Sequence, residues 1–486
     1  MNKKIGELFG YLVLGCAMIY MVLCFKNYSS LLNEAIKIPV NSLLMTTVVG
    51  IALLLILVLI FKLHAFLSLI FVSMFVGIST GMPFNDILKS MEQGMGGTLG
   101  FVATVVGLGA IFGEILEASG GAESLAHTLT KKFGKEKSSW ALMLTGFLVA
   151  IPVFFDVGFI ILVPLVYSLA KESKKSILYY GIPLLAGLAV THTFIPPTPG
   201  PVAVASILEA DIGWVILFGA IIGLPVAILS GPLWGNFISK KIYLSPDQFL
   251  EKKEVKKFDL PTFKSVIIII LVPLLLILMN TVSSTMFNLG ILKNKALIDI
   301  LSFLGHPFFA LSFATIVAIY FLGIKKGISK EEIMHLSNKS LGPAGLIILV
   351  TGAGGVFKQL LINSGIGVAL AEKLSGTPFT PLVLAFIIAA AVRITQGSAT
   401  VAMITAAGLV APLLENIIIS GPQKALIVIS VASGATVLSH VNDSGFWLVG
   451  KYFGMNEKET LKSWTVMETI IGVAGFGFSY ILYPFV

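Results

Sequence analysis

One arginine stands in a chain of 486 residues, and its surroundings are unusual. Arg393 lies in the apolar run AAAVRITQGSATVAM, Ala389 to Met403. The remaining 33 − 1 = 32 members of the Lys+Arg set are lysines, so the chain uses lysine wherever a plain positive charge suffices. A guanidinium offers what an ammonium does not: a planar fork that grips a carboxylate through two parallel hydrogen bonds and stays protonated when buried. Directly after it come Gln396, Gly397, Ser398 and Thr400, small hydrogen-bonding groups around a helix-loosening glycine. An ionisable group at membrane depth beside loosened backbone is expected to bind a ligand. The chemistry predicted here is capture of a small organic anion, with Arg393 on the carboxylate and Gln396, Ser398, Thr400 and the backbone at Gly397 on hydroxyls.

Three other stretches carry chemistry. IPVFFDVGF breaks an apolar run with Pro152 and Asp156, a carboxylate whose desolvation would raise its pKa toward a range useful for proton transfer. THTFIPPTPGPVAVAS holds Pro196, Pro197, Pro199 and Pro201 around Thr198 and Gly200. No continuous helix is expected through it, because proline lacks the amide donor and clashes with the preceding turn. His192, just before, can carry a proton near neutral pH. SHVNDSGFW places His440, Asn442, Asp443 and Ser444 at another glycine-broken junction. Thr198, Asn442 and Ser444 are expected to complete the polar shell. Asp156, His192, His440 and Asp443 are the candidates for a coupled proton. Glu117 and Glu123 flank Ser119-Gly120-Gly121, which reads as a turn.

These residues need elements to hold them, and composition says which. The chain is 56% hydrophobic and 12% charged, about half the charge of a soluble domain. Mean hydropathy is +0.96. Runs such as Leu43 to Phe61 and Val266 to Met279 recur, giving roughly a dozen spanning or half-spanning segments. The fold class is an all-α polytopic membrane protein; a β-barrel would need alternating polar residues. The MNKK start and the run Leu8 to Leu23 read as a retained first helix, with Cys16 and Cys24 as packing residues. The net charge of +8 comes from loop lysines and is explained by basic loops on one membrane face rather than by nucleic acid. No Walker loop, metal-ligand cluster or nucleophile elbow appears, so no cofactor, metal or catalytic group is expected.

The chain divides into 1–90, N-terminal helices; 91–238, a first repeat; 239–264, a basic linker expected to be cytoplasmic; 265–340, helices opening the second half; and 341–486, a second repeat. The halves echo each other: ILEASGGAESLA, from Ile115, aligns with LLINSGIGVALA, from Leu360, at 364 − 119 = 245, and His192 falls opposite His440 at 440 − 192 = 248, which requires a small insertion. A weak repeat with breaks at matching places is the pattern of a secondary transporter.

IPVFFDVGFIILVPLVYSLAK, THTFIPPTPGPVA, RITQGSATVAMITAAGLVAP and SHVNDSGFWLVGKYFG, in this order, resemble the gluconate permease family, proton symporters for sugar acids. The resemblance runs from about Gly107 to the C-terminus. It implies two inverted repeats, each with a re-entrant hairpin and a discontinuous helix, a homodimer, and a multi-pass place in the bacterial inner membrane. The implied activity is uptake of a small carboxylate such as gluconate, a related hydroxy acid or D-serine, driven by protons, with sodium as the alternative ion. The family usually carries Glu where Asp156 stands and PPHPGP where this chain reads PPTPGP, so Thr198 fits a substrate neighbouring gluconate. A cation/proton antiporter, with Arg393 only structural, is the rival within transport; a membrane-embedded enzyme is the rival outside it. A bidentate arginine contact contributes about 1.5–3 kcal/mol. Arg393→Lys is therefore expected to cut uptake by one to two orders of magnitude while the protein still inserts, measured as initial rate per inserted molecule; an unchanged rate would remove Arg393 from the site.

Overall fold

The structure, a computed structural model, describes residues 40–134, 136–246, 260–366, 380–414, 417–441 and 443–486, with residues 15, 18 and 19 besides. The helix expected over Leu8 to Leu23, both cysteines, and Lys252, Lys253, Lys256 and Lys257 of the linker lie outside the described residues. Among the described residues there is no strand. Seven helices are long and apolar enough to cross a bilayer, and five shorter apolar helices of 10–17 residues accompany them.

Two short helices open the described chain, α1 (Val40–Leu59) and α2 (Ala65–Ser79). His64 caps α2, its Nδ1 accepting from the Phe66 amide at 3.3 Å, the junction role its sequence position suggested. The first repeat follows: α3 (Phe84–Ala118), α4 (Gly121–Phe133), α5 (Ser138–Val149), α6 (Phe155–Ser173), α7 (Ile177–Phe194), α8 (Pro199–Leu208) and α9 (Ile212–Ser239). Three helices connect it to the second: α10 (Phe263–Asn288), α11 (Lys295–Gly305) and α12 (Pro307–Lys326). The second repeat is α13 (Lys330–Asn363), α14 (Pro381–Gln396), α15 (Ala399–Leu414), α16 (Gly421–Gly434), α17 (Ser444–Phe453) and α18 (Glu457–Phe485).

The repeat is visible in the helix boundaries. α8 and α17 begin at 444 − 199 = 245 and end at 453 − 208 = 245. Asp211 and Asn456, which cap α9 and α18, keep the same spacing, as do Ser119 and Ser364 at the ends of α3 and α13. The spacing is not uniform: α7 and α16 end at 434 − 194 = 240, so the second repeat carries extra residues in the break before α17, where the sequence comparison required a small insertion.

Equivalent helices run in opposite directions. Ser90 of α3 meets Asn363 of α13, Gly94 meets Gly355, Gly107 meets Leu341, and Glu114 meets Lys339. Numbers rise along one helix as they fall along the other, so the symmetry-related pair is antiparallel and the repeats are inverted.

In each repeat two elements are interrupted. In the first, α5 and α6 are joined by Ala150–Phe154, whose residues are buried or half-buried, whereas the outer ends of this pair, around Lys137 and over Lys171–Lys175, are exposed. At 1.5 Å per residue α5, with 12 residues, reaches about 18 Å, too short to cross a hydrocarbon core of about 30 Å. A charged entry, an apolar buried tip and a charged exit make a re-entrant hairpin. α7 and α8 then form a helix broken at Ile195–Thr198. This break is shorter than the proline cluster suggested: Pro199 and Pro201 sit inside the first turn of α8, where the missing amides would have had no helical partner. In the second repeat α14 and α15 are separated at Gly397–Ser398, and α16 and α17 by residues 435–443.

The long axis α3–α13 holds these tips in place. A Cβ added to Gly94 would lie 2.5 Å from the Gly355 carbonyl oxygen and 2.8 Å from Val356 Cα, both backbone atoms that cannot swing aside. Gly96 and Gly97, two and three places along, face open space. Gly94→Ala is expected to destabilise the protein by about 1–3 kcal/mol, the usual cost of overpacking, while Gly96→Ala is neutral or better. Thermal unfolding in detergent reads the difference; equal midpoints would mean that α3 and α13 do not touch there.

Candidate functional site

Arg393 sits in the last turn of α14 and is 2% exposed. Its Nη2 donates to Asp443 Oδ2 at 2.6 Å, while Nε and Nη1 are buried without a partner. Asp443 is the N-cap of α17: its Oδ1 accepts from the Gly445 amide at 3.1 Å, and its Oδ2 also accepts from Ser439 Oγ at 2.5 Å. One carboxylate thus joins the hairpin α14–α15 to the broken helix α16–α17.

α18 supports this junction. Trp464 Nε1 donates to Ser439 Oγ at 2.7 Å, Thr465 Oγ1 donates to the Ser439 carbonyl, and the Leu438 amide donates to Thr469 Oγ1 at 3.2 Å. Trp464 also meets Phe155 of α6, with ring centroids 5.5 Å apart, so the second repeat's break touches the first repeat's hairpin. On the same face of α18 lies Glu468, 5% exposed, with Oε1 unpartnered.

The other singled-out residues gather at the four breaks, with differing fates. Gly397 is buried and adopts φ +83°, a left-handed conformation that costs glycine little. Ser398 is exposed and Thr400 half-buried. The side chain of Gln396 and all of Asn442 lie outside the described residues; Ser444 opens α17 and is exposed. Thr198 is buried, its Oγ1 donating to the Ile195 carbonyl at 2.7 Å, and it is the N-cap of α8. At 443 − 198 = 245 it is the counterpart of Asp443. Asp156 stands in the first turn of α6, with part of its surface exposed. His192 turns its ring edge to Phe154 and keeps a buried, unpartnered Nδ1. His440 Nε2 lies 3.0 Å from the Ile394 carbonyl, one residue from Arg393.

Open space lies at the first repeat's breaks. A cleft runs between Ile151–Phe154 of the hairpin tip and Pro197–Pro199 of the broken helix, with Thr198 and Pro152 in its wall. Beside it, sharing Ala110 and Pro152–Phe154, a cavity of about 150 Å³ opens between α3, α6 and α13, lined by Glu114, Glu117, Lys339 and Ser340. Lys339 Nζ donates to Glu114 Oε1 at 2.8 Å at its mouth. α3 lies against the tip so closely that a Cβ on Gly113 would overlap the Pro152 carbonyl. Two features were missed in the sequence: Glu468, the single acid in VMETIIGVAGFGFSYIL, and the Glu114–Lys339 mouth, whose partners are 225 residues apart. The first was detectable as an acid in an apolar run; the second was not.

Among the groups of His, Cys, Asp and Glu in the described residues, none has the arrangement of a metal site. Removing one partner from a buried ion pair leaves the other charge uncompensated, at about 3–5 kcal/mol. Asp443→Asn is expected to lower the unfolding midpoint far more than Glu209→Gln, which breaks a pair with Lys358 whose carboxylate is 73% exposed and which contributes under about 1 kcal/mol. Equal shifts for the two variants would mean that the Arg393–Asp443 pair is solvated.

Comparison with known proteins places this arrangement. The profile of the GntP family permeases matches residues 42–485. The "Low-affinity gluconate transporter" of Escherichia coli (strain K12) is 44% identical over 434 residues, covering 89% of this chain and 96% of that one. The "Gnt-II system L-idonate transporter" of the same strain is 38% identical over 426 residues, covering 88% and 95%. Among solved structures, the Alcanivorax borkumensis YdaH transporter superposes with a TM-score of 0.58 at 13% identity, over 83% of this chain and 90% of that one, a likeness of fold alone. The resemblance read from the four motifs holds, and the chain belongs to the GntP permease family as a multi-pass membrane transporter, not an enzyme.

Proposed function

We propose that the protein takes up a small organic carboxylate, a sugar acid or related hydroxy acid, by proton-coupled symport. The observation that carries this reading is a buried guanidinium with two unpartnered nitrogens, held by the N-cap of the second repeat's broken helix. Relatives named for gluconate and for L-idonate support a sugar acid as the substrate class. Thr198, where relatives of the resembled motif carry His, leaves room for a neighbouring substrate, D-serine included.

In this reading Arg393 receives the carboxylate on its free nitrogens. Ser398, Thr400, Gln396, Asn442, Ser444, Thr198 and the backbone at Gly397 are assigned to the substrate's hydroxyls. The uncapped N-termini of α6 and α8, which border the cleft, add favourable potential for an anion. Asp156, His192, His440 and Asp443 are the protonatable groups at the breaks, the set from which the sequence draws its candidates for a coupled proton. Lys137, the lysines over 171–175 and those at 240–241 are exposed, and the positive-inside rule puts them on the cytoplasmic side. Two copies of the chain are expected to assemble as a homodimer.

The test is a substrate panel in proteoliposomes under an imposed pH gradient, comparing sugar acids, short hydroxy acids and D-serine. A carboxylate should accumulate above its external concentration and discharge when the gradient is collapsed. Movement of sodium or protons without any organic anion would overturn the reading in favour of antiport.

A further inference from the structure

We propose that Glu468 carries the coupled proton, and that it does so by competing with the substrate carboxylate for Arg393. This rests on the symport reading above and names a residue outside the set placed at the breaks.

The argument begins with one face of α18. Trp464, Thr465, Glu468 and Thr469 are spaced as helical neighbours and face the segment between α16 and α17. Three of the four are committed to hydrogen bonds with Leu438 or Ser439. Glu468 is the fourth, as buried as the rest, and its Oε1 has no partner. A carboxylate in an apolar bundle is costly, and one that satisfies nothing in the fold is a candidate for function. Repeat symmetry does not demand it, since its counterpart at 468 − 245 = 223 is Gly223. The turn is also irregular: a π-helical stretch, Leu461–Thr465, leads directly into it, and such bulges recur at functional sites.

The charges around Glu468 define what its proton would do. One turn before Glu468, Trp464 donates to Ser439, Ser439 donates to Asp443, and Asp443 holds Arg393, so the α18 face that carries Glu468 abuts the ion pair. α9 carries no charged residue between Asp211 and Lys240, α16 carries only Lys424 in its first turn, and α7 carries His192 alone, which sits against Phe154. α6 carries Asp156 in its first turn. With Glu468 ionised, two carboxylates share one guanidinium, and a third from the substrate would leave the cluster with excess negative charge. With Glu468 protonated, Arg393 keeps Asp443 and its free nitrogens are open to the substrate. The proton passes from water to a Glu468 oxygen on loading and returns to water on release, with no other bond changed. Proton and anion then favour each other, the sign that symport requires. The groups at the breaks fit this role less well: Asp443 already accepts three hydrogen bonds, His440 lies on a carbonyl, and Asp156 is partly exposed.

The experiment compares wild type, Glu468→Gln and Glu468→Asp in proteoliposomes. It measures accumulation driven by a pH gradient and, separately, exchange of labelled for unlabelled carboxylate without a gradient. Glu468→Gln is expected to keep exchange, lose accumulation, and show exchange independent of pH over the range where wild type responds. Accumulation by Glu468→Gln with the wild-type pH dependence overturns the proposal. If that variant fails to insert, Glu468→Asp decides: a displaced pH midpoint for exchange supports the proposal and an unmoved one overturns it. Absence of exchange by wild type for every carboxylate would instead bring down the symport reading, and this inference with it.

Discussion

The structure depends on how one guanidinium is kept inside an apolar bundle. Arg393 cannot reach water, so its charge must be met locally, and Asp443 meets it at 2.6 Å. That carboxylate is itself fixed by the Gly445 amide and the Ser439 hydroxyl. Ser439 is in turn held by Trp464 and Thr465 of α18, and Trp464 rests on Phe155 of the other repeat. A chain of contacts thus runs from the lone arginine through the broken helix to the opposite hairpin. Such a pair is weak evidence for stability, because packed apolar side chains would do as well or better. Its retention fits a role in which the pair must be available to an incoming charge.

Inverted symmetry makes the two halves comparable residue by residue, and the comparison separates charge from space. Thr198 and Asp443 hold the same N-cap position on equivalent half-helices. In the first repeat the cap is neutral, turned back on its own backbone, and stands beside a cleft. In the second it is ionised and bound to an arginine whose counterpart, at 393 − 245 = 148, is Leu148. Backbone architecture was duplicated while the chemistry diverged. α8 rests on α15, with Gly200 against Met403, so the open half and the charged half are in direct contact.

Much of this was legible in sequence because membrane helices leave local marks. Hydropathy located the spans, and proline and glycine located the interruptions, since each alters backbone hydrogen bonding where it stands. The uniqueness of Arg393 singled out the site. What could not be read was anything set by contact across the bundle. Nothing near Asp443 in the chain says that it caps α17 and pairs with a residue 50 positions away. Glu468 was passed over because a single acid near a helix start looks like an interfacial residue until α18 is seen to bury it against residues 438 and 439.

Symmetry also accounts for which side is open. The cavity is lined by Glu114, Pro152 and Lys339. Their counterparts at a spacing of 245 are Gln359, Gly397 and Gly94. Two of the three are closed off: Gly397 is buried, and Gly94 lies on Gly355 with no room for a methyl group, while Gln359, half-buried, donates to Asn363, which donates to Ser90 of α3. Glu209, at the end of α8, is tied to Lys358 of α13 on this closed side at 2.7 Å, and that hydrogen bond holds its carboxyl below the usual range. One plan, built twice and inverted, is therefore open in one copy and closed in the other. Alternating access asks for this asymmetry, because exchanging the two conformations between the repeats would carry the opening from one face to the other without moving the arginine from the middle.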